Sequence, residues 1–121
     1  MIEPADDLIE FEISIHKWTH GIEVETRGDL DLTTVQRLDR LLTQSIEEIK
    51  GSPAAEHLIL DLRKLVFIDS AGLALLIKVS KELSGINRTL QVVVARSSQP
   101  ERILKIGHFD KILELTYSPS A

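Results

Sequence analysis

Leu58-Ile59-Leu60-Asp61-Leu62-Arg63-Lys64-Leu65-Val66-Phe67-Ile68-Asp69-Ser70-Ala71-Gly72-Leu73 decides how this chain folds. An apolar run too short to span a membrane ends in Asp69-Ser70-Ala71-Gly72, and an apolar-periodic stretch follows at once. That order describes a buried strand, a tight turn and a helix start. Either Asp69 or Ser70 suits the helix cap, because short polar side chains accept from the first unpaired N–H groups. Those N–H groups and the helix dipole favour negative charge at the turn. A phosphate on the Ser70 hydroxyl would therefore be tolerated by the fold and visible to a partner.

Upstream, residues 8–18 alternate, with Ile9, Phe11, Ile13 and Ile15 on one face and Glu10, Glu12, Ser14 and His16 on the other. A period of two predicts a strand with one solvated face. Thr19-His20-Gly21 is turn-like, and Ile22, Val24 and Thr26 continue the alternation, which predicts a β-hairpin. Gly28-Asp29-Leu30-Asp31 breaks it. Thr33-Thr34-Val35-Gln36 matches a capping box, and Val35, Leu38, Leu42, Ile46 and Ile49 recur at helical spacing until Lys50-Gly51-Ser52-Pro53. The strand Leu58–Leu62 follows. The next helix, from about Ala71 to Ile86, is apolar on more than one side and so is expected to be sandwiched, with Gly85 or Asn87 as its left-handed end. Leu90–Ala95 reads as a central strand, Ser98-Gln99-Pro100-Glu101 as a second capping box opening a helix to Ile106, and Ile112–Thr116 as a last strand. Two strands followed by alternating helices and strands define an α/β fold with a mixed β-sheet of about five strands, helices mainly on one face.

Composition bounds the function. The 121 residues suit one domain. No cysteine is present, which removes disulfides, thiolate zinc sites and cysteine nucleophiles and suits a reducing cytoplasm. The acidic start Met1-Ile2-Glu3-Pro4-Ala5-Asp6-Asp7 is no signal peptide, and the longest apolar run, Leu73 to Ile77, is too short to insert in a membrane. A net charge of −5 argues against nucleic acid, so the expected partners are proteins.

Catalytic patterns are missing. A G-x-S-x-G elbow around Ser70 would need glycine where Ile68 stands. His16, His20, His57 and His108 fall on separate elements, and no carboxylate cluster has metal-ligand spacing. An aspartyl-phosphate acceptor at Asp69 or Asp61 needs a divalent cation held by carboxylates; Asp29 and Asp31 could supply some, but the acidic pair after a first strand is missing. Neither an enzyme nor a metal or other cofactor is expected.

The hairpin, the G-D-L-D-x-x-T loop from Gly28 to Thr34, the amphipathic helix, then L-I-L-D-L and F-I-D-S-A-G-L together resemble a STAS domain of the anti-sigma-factor antagonist type. The resemblance covers about residues 8–116, so the whole chain, residues 1–121, reads as a single STAS domain. It implies that Ser70 is the phosphoacceptor and that Asp31 lies close to it. It also implies a protein that binds an anti-sigma factor, itself a GHKL-type serine kinase, when unphosphorylated, and that a PP2C-type phosphatase restores. Partner contacts are expected from Asp31, Asp69, Ala71, Gly72, Ala74 and Leu75; Trp18 and Tyr117 are expected to pack rather than to bind. The alternative within the family is a scaffold or accessory domain, in a stressosome-like assembly or on a transporter, that is never phosphorylated. Only Tyr117-Ser118-Pro119-Ser120-Ala121 follow the last strand, where family members commonly carry a helix; the expectation is an uncovered part of the sheet or second helix, and with it a homodimer or a larger assembly.

Overall fold

The strand expected over Leu58–Leu62 is more than twice that long. In a computed structural model, which describes residues 10–117, it runs from His57 to Ile68 and forms the centre of the sheet. We number the elements β1 (Glu12–Trp18), β2 (Gly21–Leu30), α1 (Val35–Lys50), β3 (His57–Ile68), α2 (Ser70–Ser84), β4 (Thr89–Val93), α3 (Gln99–Ile106) and β5 (Glu114–Thr116). A 3₁₀ turn, Phe109–Lys111, precedes β5. The strands lie in the order β1-β2-β3-β4-β5, with β1 antiparallel to β2 and every other pair parallel. This is the mixed five-stranded α/β sheet expected from the sequence. Ile9 and the tail Ser118–Ala121 lie outside the described residues.

The alternation of the strands sets the layers. Ile22, Leu58 and Leu90 stand in register, as do Val24, Leu60 and Val92, and all are buried. Against them pack Leu38, Leu42, Ile46 and Ile49 of α1 and Leu76, Val79 and Leu83 of α2. The intervening row, Glu23, Ile59, Gln91 and Glu114, stays partly or fully exposed, so the sheet buries one face under α1 and α2. Lys17 of β1 reaches Glu48 of α1, which ties the edge strand to that layer.

Further along, β3 carries two bulges, a rare feature in a parallel pair. Between Glu25 and Arg27 β2 advances two residues while β3 advances three, from Asp61 to Lys64. Between Gly28 and Asp29 it advances one while β3 advances two, from Leu65 to Phe67. Each extra residue shifts the phase of the pleat. Leu62, Leu65 and Ile68 therefore all point inward, at a spacing of three, while Arg63-Lys64 and Val66-Phe67 point out in pairs. Gly28, at φ 101°, takes the left-handed backbone that lets β2 continue to Leu30 where its alternation had seemed to stop.

Helix ends are settled by individual side chains. The Thr33–Gln36 capping box does not form: α1 starts after Thr34, whose side chain makes no capping bond. At α3 the box is present in altered form. Ser98 Oγ accepts from Glu101 N–H at 3.2 Å, and the Glu101 carboxylate accepts from Ser97 N–H, not Ser98, at 2.7 Å. Asn87 (φ 61°), rather than Gly85 (φ −65°), takes the left-handed position after α2. Tyr117 packs its ring against the guanidinium of Arg96, 4.1 Å from the centroid, and the ammonium of Lys105 at 5.2 Å.

The Tyr117 hydroxyl and the Ser97 N–H hold the buried Glu101 carboxyl below the usual carboxylate range, with Lys105 helping. A depressed carboxyl stabilises the fold fully above its unfolded value, about 4.3, and loses that contribution as pH falls through the lower folded value. The melting temperature of wild type should therefore exceed that of Glu101→Gln at neutral pH. The gap should close as the pH is lowered from about 5 toward 3. A gap that does not change with pH would mean that Glu101 contributes by packing alone.

Candidate functional site

Two loops meet where β2 and β3 end side by side. Leu30 stands in register with Ile68, and Asp69 N–H donates to the Leu30 carbonyl at 3.2 Å. The chain then turns sharply into α2, whose first turn lies directly on Leu30. A Cβ added to Gly72 would come within 2.6 Å of Ile68 Cγ1 and 2.9 Å of Leu30 Cγ. Only glycine admits this approach, so the loop after β2 and the start of α2 are locked together.

Within that frame the cap falls to Asp69. Its Oδ1 accepts from Ala71 N–H at 2.9 Å and Gly72 N–H at 3.1 Å. Ser70 is the first residue of α2, exposed, and its hydroxyl has no hydrogen-bond partner among the described residues. Of the two residues that suited the cap, one holds the helix and the next is left free.

The loop from Gly28 to Thr34 is built around Asp31. Asp31 Oδ1 accepts from Thr33 N–H at 2.9 Å and from the Thr33 hydroxyl at 2.7 Å. Those Thr33 contacts, supported by Thr34, hold the Asp31 carboxyl below its ordinary value. Thr34 Oγ1 accepts from Asp31 N–H and donates to the Asp29 carbonyl at 2.8 Å. Val35 N–H reaches the Asp31 carbonyl at 2.8 Å, so Asp31 prepares the entry to α1 that Thr33 had been expected to cap.

The expected contact residues separate by burial. Asp31, Asp69 and Ala71 are half-buried and Ala74 is exposed. Gly72 is buried under Leu30. Leu75, expected on an exposed docking patch, is 4% exposed and belongs to the core, because α2 faces both the sheet and α1. Exposed apolar surface comes instead from residues the sequence reading passed over: Leu32 beside Asp31, 77% exposed, and Phe67 at the end of β3, 41% exposed. Leu32 carried a signal, since it falls outside the apolar period of α1. Phe67 carried none.

Asp61 is buried, and both its oxygens are taken by Arg63, at 3.0 Å to Nε and 2.7 Å to Nη2, so it presents no acceptor oxygen. Among the described residues no group of three or more histidine or carboxylate side chains could hold a metal ion, and no helix is long and apolar enough to cross a membrane. A cleft of about 310 Å³ lined by Ser80, Lys81, Ser84 and Arg88 lies at the opposite end of α2 from Ser70.

Residues 14–120 match the family model of the STAS domain, and the chain belongs to that family. Its fold is similar to solved anti-sigma factor antagonists. One from Mycobacterium paratuberculosis superposes with a TM-score of 0.78 at 18% identity, over 91% of this chain and 88% of that one. A second, described as a putative antagonist from Thermotoga maritima, gives 0.68 at 17% identity, over 91% and 88%. The Bacillus cell fate determinant SpoIIAA in its phosphorylated form gives 0.65 at 16% identity, over 92% and 93%.

Gly72→Ala should overpack the contact with Leu30 and Ile68 and destabilise the domain by about 1–3 kcal/mol, read by denaturant unfolding. Shortening the opposing side chain with Leu30→Ala in the Gly72→Ala background should recover part of that loss of fit. Additive losses in the double variant would show that the two residues do not press on one another.

Proposed function

We propose that this chain is an anti-sigma-factor antagonist, a binding module without catalytic activity of its own, switched by phosphorylation of Ser70. Unphosphorylated, it binds an anti-sigma factor that is also a GHKL-type serine kinase; the kinase modifies Ser70 and the complex parts; a PP2C-type phosphatase restores the binding form. The exchange takes place in the cytoplasm. This function rests above all on the Ser70 hydroxyl, exposed at the first turn of α2 and free because Asp69 provides the cap. Membership of the STAS family and the likeness of its fold to antagonists from three bacteria support it.

The physics of the switch is local. Phosphorylation adds a charge of about −1.5 to −2 at Ser70. In the free domain the α2 N-terminus offsets part of it, while Asp31 and Asp69 oppose it. Within a dry interface the same charge loses its solvent, and the cost appears as lost affinity rather than as unfolding. Leu32 and Ala74 supply exposed apolar surface beside the acceptor for the partner to cover.

Two baits test this. Ser70→Ala should retain the kinase from a cell extract, identified by mass spectrometry, and should not release it when ATP is added. Ser70→Asp should fold as wild type by circular dichroism yet bind that kinase at least about tenfold more weakly, or about 1.4 kcal/mol. Equal affinity of the two variants in calorimetry would place the chain among unswitched scaffold domains instead.

Beyond the turn that it shapes, Asp31 contributes its charge to recognition. Asp31→Asn keeps an oxygen to accept from Thr33 and removes the charge, so its melting temperature should stay within a few degrees of wild type. Kinase affinity or the rate of Ser70 phosphorylation should drop by roughly threefold to tenfold, about 0.7–1.4 kcal/mol. A large loss of stability with unchanged phosphorylation would return Asp31 to a purely capping role.

A further inference from the structure

Gln99, the first residue of α3, reaches back to the end of β3. Its Oε1 accepts from Ile68 N–H at 2.9 Å and its Nε2 donates to the Ile68 carbonyl at 3.0 Å. The setting gives this amide its meaning. β4 pairs with β3 only as far as Asp61, so on that side the rest of β3 has no neighbouring strand. Along such a strand, successive residues turn their backbone groups to opposite sides. Asp69 N–H turns to Leu30 of β2, and Ile68 turns both of its groups the other way. A primary amide offers a donor and an acceptor much as a peptide group does, so Gln99 takes the place of the missing strand residue.

Gln99 is itself firmly held. Ser98, just before it, donates from Oγ to the Ala95 carbonyl at 2.6 Å and caps α3, and Glu101 fixes Ser97. Ile68 is 1% exposed, so water has little access to replace a lost bond there. Two residues further on stands Ser70, with no hydrogen bond of its own to orient its hydroxyl among the described residues.

We propose that Gln99 is a positioning residue for Ser70: by closing the open side of β3 at Ile68, it fixes the direction in which the acceptor turn leaves the sheet and couples that turn to α3. The proposal rests on Ser70 being the phosphoacceptor. Transfer to a hydroxyl is sensitive to placement, and a displacement of about 1 Å can cost on the order of a hundredfold in rate.

Gln99→Met keeps the length of the side chain and removes both hydrogen bonds. Gln99→Glu keeps the acceptor for Ile68 N–H but sets a carboxylate against the Ile68 carbonyl, and it serves as the second variant should the first fold poorly. Two measurements are needed: amide hydrogen exchange, and single-turnover phosphorylation of Ser70 by the kinase that the Ser70→Ala bait retains. In Gln99→Met the protection of Ile68 N–H should fall by about tenfold or more while Val24 in β2 is unchanged. The phosphorylation rate at saturating kinase should fall by about tenfold while the affinity for the kinase changes by less than about threefold, a split that general loss of stability would not give. Gln99→Glu should fall between Gln99→Met and wild type. Wild-type phosphorylation in both variants, despite lost Ile68 protection, would overturn the positioning role, as would unchanged Ile68 protection. If wild type itself accepts no phosphate from that kinase, the phospho-switch fails first and this role falls with it, while the exchange data still report whether Gln99 clamps β3.

Discussion

Everything at the candidate site follows from how closely α2 approaches the end of β2. Gly72 lies on Leu30 with no room for a Cβ, and the Asp69 N–H closes on the Leu30 carbonyl beside it. These contacts join elements about forty residues apart in the chain, and they set the loop carrying Asp31 beside the turn carrying Ser70. They also explain why the bulges in β3 matter. Each bulge inverts the pleat and the second restores it, so Ile68 points inward again; without the two extra residues Val66 rather than Ile68 would stand opposite Leu30.

Capping chemistry then divides the work. At α2 the carboxylate of Asp69 satisfies the first N–H groups, and at α1 the Asp31 carbonyl takes the Val35 N–H while the Asp31 carboxylate holds Thr33. At α3, Ser98 and Glu101 share it. The N-termini of α2 and α3 are finished by side chains, and that of α1 by the backbone carbonyl of a loop that the Asp31 side chain shapes. Their remaining polar groups, Ser70 above all, are left to face outward.

Much of this was legible in the residues. The alternation from Phe11 to Thr26 marks the hairpin, the Val35–Ile49 period marks α1, and Asp69–Gly72 marks the turn into α2. What escaped detection has definite causes. The inward residues Leu62, Leu65 and Ile68 are spaced by three, a helix-like interval that the bulges impose on a strand, so β3 seemed to end early. Phe67 sits in a run of four apolar residues and gives no hint that it points out. α2 is apolar around most of its surface, and only the positions of α1 and the sheet decide that Leu75 is covered and Ala74 is not. Gln99 meets Ile68 across 31 positions, and no local pattern announces a side chain that replaces a strand.

The separation of Asp69 from Ser70 has a bearing on how such a domain can change over generations. Had a serine been both cap and acceptor, each substitution there would have altered folding and signalling at once. Here the costly duty lies with Asp69, and the neighbouring position is nearly silent for stability. Under the proposed phosphorylation of Ser70, a lineage could thus acquire, lose or retune responsiveness by a single change at position 70 without passing through a poorly folded ancestor. Under the proposed switch, regulation rests on a residue whose variation the fold penalises little.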